Sequence, residues 1–187
     1  MLRLFVAVDL PASEQQAVAA LCTDVRGARW VKPHQLHITL RFMGATPDEE
    51  LPDIRQRLAT VKATSFHLAL AGVGVFPATR RPRVLWLGLE PAGPLVRLKH
   101  EIDGALGRSR SEEPLEERKE FHPHLTLARF PGKPDESLTH FLARHANYRG
   151  TEWDVDCFRL YKSILHASGS VHETLAAYPI TEICRER

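Results

Sequence analysis

Two stretches of the chain share one pattern, a histidine and a threonine two residues apart inside a short apolar run. They are Leu36-His37-Ile38-Thr39-Leu40 and Pro123-His124-Leu125-Thr126-Leu127. In a β-strand side chains alternate between faces, so residues two apart point the same way, about 7 Å apart along the chain. His37 and Thr39 then share one face, while Leu36, Ile38, Leu40 and Phe42 share the other. The second stretch repeats this, with His124 and Thr126 opposite Pro123, Leu125 and Leu127. Such alternation marks a sheet with one face on a core and one face wet. Side by side, the two strands would line one cleft with two imidazoles and two hydroxyls, a set of groups suited to a phosphate.

The rest of the chain supplies further strands and helices. Leu2 to Leu10 alternates and is rich in Val and Phe, which predicts a strand closed by Pro11. Ser13, with Gln16 three residues on, reads as the cap of a helix that runs to about Val25 and is stopped by Gly27. Arg26, Arg29 and Lys32 follow in a loop that is either a solvated connection or a phosphate-steering rim. Gly44-Ala45-Thr46-Pro47 turns the chain into a helix from about Asp48 to Lys62, and Ser65 to Val75 alternates as a strand. Its Gly72 and Gly74 lack the GK[ST] tail of a phosphate loop and read as bulge or edge glycines. Thr79 to Arg83 is a basic turn before a strand over Val84 to Leu89. Pro91-Ala92-Gly93-Pro94 reads as a linker before a helix from about Leu95 to Arg108. Ser109 to Glu120 is charged and unpatterned, and reads as a mobile loop. After the second histidine strand come a helix over Asp135 to Arg144 and one or two strands between Tyr148 and Leu165. A turn at Ala167-Ser168-Gly169-Ser170 leads into a closing hairpin strand, Val171 to Ile180.

Each half thus carries strands, helices and one His-x-Thr strand. This predicts a single domain, residues 1–187, of two lobes related by approximate internal duplication about a pseudo-two-fold central cleft. Connections too short for parallel crossovers make the fold class α+β, bilobal, with two antiparallel-rich sheets flanked by helices. A length of 187 residues is enough for a proper core. A net charge of +2 leaves no broad basic footprint for gripping long duplex nucleic acid, and a small or terminal anionic ligand suits it better. Cys22, Cys157 and Cys184 are odd in number and widely spaced, which fits reduced thiols and excludes a disulfide scaffold or zinc ribbon. The opening run meets Asp9 too soon for a signal peptide or a membrane span. A cytoplasmic, monomeric protein without membrane contact is the expectation.

Histidine titrates near ~6.5, so close to neutrality one imidazole of a pair can be neutral and the other protonated. General acid–base hydrolysis of a phosphodiester asks for that. One ring takes a proton from water and the other gives one to the departing oxygen, each role worth about 10²–10⁴-fold. The threonine hydroxyls can donate hydrogen bonds to non-bridging oxygens as charge builds at phosphorus. The scheme needs no metal and no cofactor. A zinc site of His34, His37, His122 and His124 is the alternative, but it leaves Thr39 and Thr126 idle and lacks the acidic base of an H-E-x-x-H site. His34 and His122 read instead as loop and strand-entry residues. His67, His100, His140, His145, His166 and His172 show no partner pattern and read as surface residues.

These residues resemble a known family. His37-Ile38-Thr39-Leu40 and Phe121-His122-Pro123-His124-Leu125-Thr126-Leu127-Ala128-Arg129 are similar to the HxTx motifs of the 2H phosphoesterases. Within these, the likeness is to the RNA 2′,3′-cyclic phosphodiesterases once called 2′-5′ RNA ligases. Arg3 to Pro11, Phe42-Met43-Gly44, Pro82 to Gly88 and Leu160-Tyr161-Lys162-Ser163 extend it over most of the chain. The resemblance implies both motifs facing a central cleft, and hydrolysis of a 2′,3′-cyclic phosphate to a 2′-phosphate without metal or nucleotide cofactor. It implies His37 as proton donor, His124 as proton acceptor, and Thr39, Thr126 and Arg129 as phosphate-binding. The substrates implied are RNA 3′ ends bearing the cyclic phosphate, or small cyclic nucleotides.

Strict alternation puts Arg129 on the Leu125 face, away from His124, so a bulge near Ala128 is expected to re-aim it. His172 stands where relatives commonly carry a tyrosine. Two other functions fit the same residues. One is reversible joining of tRNA halves through 2′-5′ linkages. The other is a non-catalytic RNA-end binding module, with the arginines of the 26–32 and 80–83 stretches and with Trp30 and Phe76 as stacking platforms.

Overall fold

The computed structural model describes residues 1–78, 81–107, 121–166 and 169–180. The charged stretch 109–120, Thr79 and Arg80 of the basic turn, Ala167 and Ser168 of the hairpin turn, and Cys184 lie outside the described residues. In chain order the elements are β1 (Leu2–Asp9), α1 (Ala12–Leu21), β2 (Arg29–Trp30), a 3₁₀ turn (Pro33–Gln35), β3 (His37–Thr46) and a second 3₁₀ turn (Asp48–Glu50). Then follow α2 (Leu51–Leu58), β4 (Phe66–Phe76), β5 (Val84–Glu90), α3 (Ala92–Leu106), β6 (His124–Arg129), α4 (Glu136–His145), β7 (Trp153–Val155), β8 (Cys157–His166) and β9 (Gly169–Pro179). The strands form two sheets, ordered β3-β1-β8-β9 and β2-β6-β5-β4-β7. Every pairing in them is antiparallel. The class is therefore α+β, as the short connections required.

One connected apolar cluster lies behind the sheets. Val6, Val8, Ile38 and Leu40 of the first sheet meet Leu58 of α2 and Leu95, Leu98 and Ile102 of α3 within it. Leu68, Leu70, Leu85, Leu87, Leu125 and Leu127 of the second sheet belong to the same cluster. Each such side chain, fully buried, contributes about 1.5–3 kcal/mol relative to exposure. The outward faces of β3 and β6 are therefore free to carry polar groups.

Several boundaries differ from the sequence reading. Ser13 is not the cap of α1: Pro11 holds the N-cap position, and the helix stops at Leu21, short of Val25. Ala92-Gly93-Pro94 is no linker but the first turn of α3. Proline is at home there, because a first-turn N–H has no helical partner to lose. By the same rule Pro52 starts α2 at Leu51, and the chain before it forms only a 3₁₀ turn. Asp135 does cap α4, accepting from the Ser137 N–H. Gly72 sits at a register shift with φ +65°, as a bulge glycine should. Gly74 is in register and serves a different end: a Cβ there would lie 2.2 Å from the Trp86 ring, which crosses it. Among the described residues no helix is long and apolar enough to cross a membrane.

Candidate active site

Both histidine strands lie at sheet margins. β3 is an edge strand, and β6 has only the two residues of β2 beyond it. The two strands approach each other to within 8 Å between Cα atoms. The wet face of the first sheet follows from its register: Asp9 opposite His37, Ala7 opposite Thr39, Phe5 opposite Phe42, then Arg159 and Tyr161 of β8 and Thr174 of β9. The wet face of the second carries His124 opposite Gly88, Thr126 opposite Trp86 and Arg129 opposite Val84.

The two imidazoles are held alike. His37 Nδ1 lies 2.7 Å from the Gln35 carbonyl, and His124 Nδ1 lies 2.8 Å from the His122 carbonyl. A carbonyl only accepts, so each Nδ1 carries the proton and donates it, and Nε2 of the neutral ring presents a lone pair. Aromatic rings fix the planes. Phe5 and His172 stand 4.9 and 5.0 Å from His37, while Phe76 lies edge-on to His124 at 5.1 Å. Burial lowers the His37 pKa to about 4, with His172 and Arg129 pushing the same way and the Gln35 carbonyl and Asp9 opposing. Burial also lowers His124, helped by His122 and Arg129 and opposed by the His122 carbonyl. The Arg129 charge thus reaches both rings.

Arg129 arrives there by a bulge. Leu85 pairs with Ala128 but Trp86 pairs with Thr126, so Leu127 has no partner on β5. Leu127 and Ala128 are both buried, and Arg129 swings out onto the His124 side. This is the bulge that the position of Arg129 demanded. β3 carries its twin: Val6 pairs with Arg41 and Ala7 with Thr39, leaving Leu40 unpaired. Phe42 is therefore not on the Leu36 face, as plain alternation predicts. It lies 58% exposed on the wet face, stacked on Phe5 at 5.6 Å. Arg41 turns inward instead and donates to the carboxylate of Asp103, 3.1 Å away, and to the Gly107 carbonyl, 2.5 Å away, at the end of α3.

Four other site residues escaped the sequence reading. His172 is not a surface histidine: the closing hairpin brings its ring edge-on to His37. Asp9 lies beside His37 and is held by the Tyr161 hydroxyl at 2.5 Å and by Arg159. Desolvation and that bond to Asp9 push the Tyr161 hydroxyl up to about 12. The only cue to Asp9 was its place in the opening strand. Of the basic loop, Arg29 pairs with Arg129 and stays exposed, while Arg26 turns away to Asp135 at 3.6 Å. Trp30 is no free platform, because it packs on Phe141 of α4, and Phe76 is half-buried against the histidines. His34 and His122 are exposed, the latter beside Trp86 at 4.9 Å. Among the described residues no group of three or more His, Cys, Asp or Glu is placed to hold a metal ion. Burial raises both described thiols, Cys22 to about 11, which suits inert cysteines.

Comparison with known proteins gives the same direction. A family model described as LigT like Phosphoesterase matches residues 8–86, a span that holds the first motif. An Archaeoglobus fulgidus protein named RNA 2′,3′-cyclic phosphodiesterase is 33% identical, over 95% of this chain and 99% of its own. A Thermus thermophilus protein of the same name is 37% identical, over 96% of this chain and 90% of its own. Among solved structures, E. coli LigT complexed with 3′-AMP superposes with a TM-score of 0.77 at 26% identity, covering 96% of this chain and 98% of that one. A crystal structure from Thermus thermophilus gives 0.76 at 32%, with 96% and 98% covered. Alike in sequence along nearly the whole length of such relatives, the chain belongs to the LigT-like, or 2H, phosphoesterase family.

Proposed function

We propose that this protein hydrolyses 2′,3′-cyclic phosphates at RNA 3′ ends and in small cyclic nucleotides, leaving a 2′-phosphate. His124 acts as proton acceptor and His37 as proton donor, with Thr39, Thr126 and Arg129 on the phosphate. The observation that carries this is the matched pair of Nδ1-to-carbonyl bonds, which leaves Nε2 of each ring as the nitrogen that can exchange a proton, with the charge of one arginine acting on both rings. The relatives' name supports the same chemistry.

Both rings are neutral in the free protein near neutral pH, because burial outweighs their carbonyl bonds. A bound phosphodiester brings the negative charge that lets one of them hold a proton. Asp9 favours the proton on His37, against the burial, His172 and Arg129 that lower it there. At His124 burial, His122 and Arg129 oppose the proton and the His122 carbonyl favours it. His124 Nε2 then takes a proton from water and the water oxygen attacks phosphorus. The P–O3′ bond breaks, and O3′ leaves with the proton of His37. Hydrogen bonds from Thr39 and Thr126 and the Arg129 charge offset the charge that gathers on the non-bridging oxygens. Arg29, opposite Arg129 in the ladder, adds positive charge at the same margin. The reading takes residues 1–187 as one domain of two lobes related by approximate duplication, supported by the bulge both motif strands share. It also takes the chain as a cytoplasmic monomer, consistent with the free thiols of Cys22 and Cys157.

The test is to incubate the protein with cytidine 2′,3′-cyclic phosphate and a chelator, and to assign the product isomer by NMR. The 2′-phosphate alone is expected, with turnover undiminished by the chelator. His37→Ala and His124→Ala should each lower kcat by about 10²–10⁴-fold. A 3′-phosphate product, or full turnover in either variant, defeats the reading.

A further inference from the structure

We infer that Gln35 is a positioning residue that ties the end of the closing hairpin to the first histidine of the cleft. It serves the two with different groups. Its main-chain carbonyl lies 2.7 Å from His37 Nδ1, while its side-chain amide donates to the Ser170 carbonyl of β9, 135 residues away. The Gln35 N–H closes the 3₁₀ turn onto the Lys32 carbonyl, and the β3 ladder starts at His37. The Gln35 carbonyl is thereby left for the ring. The proposal rests on the two-histidine reading above and adds what holds one wall around the donor ring in place.

The end of the hairpin needs such a tie. β8 pairs with β1 from Arg159 to Lys162, and beyond Lys162, among the described residues, it pairs with β9 alone. A two-stranded ribbon is marginal by itself in water. Leu165 and Val171 at this end stay 63% and 48% exposed, so little apolar burial holds it down. Yet the same stretch carries His172, whose ring meets His37 at 5.0 Å and Phe5 at 4.9 Å, edge-on to both. Where the ribbon goes, one wall around His37 goes with it. The second motif is held otherwise. The residue that gives its carbonyl to His124 is His122, and its ring rests against Trp86 and Phe76 of the second sheet. The tie therefore bears on one histidine. The charged and titratable groups around His37 are Asp9 from β1, Tyr161 from β8, His172 from β9 and Arg129 from β6. Of these only His172 lies beyond the reach of the β1 ladder on the ribbon. Burial is the main cause that lowers His37, and the His172 charge adds to it. Release of the hairpin end weakens both, while the carbonyl bond, being main-chain, stays.

The test is Gln35→Met, which keeps the length of the side chain and removes its donor, read by NMR on the free protein. Amide exchange of Ser163 to Leu165 and of Ser170 and Val171 should quicken by about three- to ten-fold, the net worth of one hydrogen bond. His37 should titrate at higher pH and His124 should not move. With cytidine 2′,3′-cyclic phosphate, the limb of kcat/KM that His37 governs should move upward with it. Gln35→Lys restores a donor and should return the exchange to its original rate. Adding His172→Phe to Gln35→Met should move His37 no further, since that neighbour has already left. Unchanged exchange in Gln35→Met overturns the proposal, and so does a His124 that moves as far as His37. Full additivity of the two substitutions overturns it as well. Exchange and titration need no substrate. If the unaltered protein turns over no cyclic phosphate, the hydrolase reading has failed, and these two measurements still decide the tie.

Discussion

β3 and β6 match for four residues and then part. His37 and His124, and Thr39 and Thr126, occupy the same places, and in each strand the next leucine is the bulged residue. After the bulge, Arg41 and Phe42 stand where the other strand has Ala128 and Arg129. The shared half carries a local device, a ring nitrogen bonded to the carbonyl two residues back, which needs only strand geometry. The differing half is where the surroundings speak. In β6 the re-aimed residue is a cation whose field lowers both histidines. In β3 it is an aromatic ring on an aromatic column, and the residue before it is spent on holding α3. The cleft therefore has like groups at its centre and unlike walls, one charged and one flat.

Of the changes that separate the two strands, the largest expected effect comes from removing the charged wall. Arg129→Ala should cost about 10²–10³-fold in kcat, the range for losing one donor aimed at developing charge. Arg129 lowers both imidazoles, so its loss should also raise both pKa values and carry the kcat/KM profile to higher pH. A variant that loses rate with no movement of the profile would mean that Arg129 acts at a distance from the rings. The comparison of the two strands would then break at its central point.

Legibility in the sequence follows range. The strands and the shared face of His37 with Thr39, and of His124 with Thr126, come from a period of two, which any five residues display. The bulge in β6 could be foreseen because a cation on an apolar face is a visible conflict. Its twin in β3 raised no such alarm, because Phe42 looks at home beside Leu40. Arg41 was the missed signal: a charged residue between apolar neighbours, at the position that turned out buried. Asp9 and His172 come to His37 from strands far away in sequence, and no local pattern reports that. β2 has two residues, too few for any periodicity. The prolines around α3 read as a linker because a first-turn proline and a loop proline have the same composition.

Arg41 gives a second, smaller prediction. Arg41→Ala makes β3 resemble β6 at the bulge, and it strips the guanidinium from the Asp103 and Gly107 carbonyls at the end of α3. Lys99 still neutralises the Asp103 carboxylate at 2.5 Å, so the loss should be about 3 kcal/mol, at the low end for a broken buried pair. Urea denaturation would show this as a lower midpoint at unchanged slope. Turnover measured well below the melting temperature should persist, since Arg41 faces away from the cleft. If stability held but turnover fell, the arginine would belong to the site and the two strands would be less alike than their bulges suggest.

The smallest effect separates the two rings by charge alone. His172 stands at the His37 ring and, when protonated, lowers its pKa; no such effect of His172 reaches His124. His172→Phe keeps an aromatic edge beside His37 and Phe5 but removes the proton. His37 then titrates at higher pH, so the limb of kcat/KM that it governs moves upward by a fraction of a pH unit. The paired rings titrate as a coupled system, so the profile should be read beside the NMR titration of each imidazole. In that titration His37 should move and His124 should stay. Arg129→Ala should move both. A His172→Phe protein in which both rings shift together would show one electrostatic unit in place of two differently walled ones, and the asymmetry argued here would be lost.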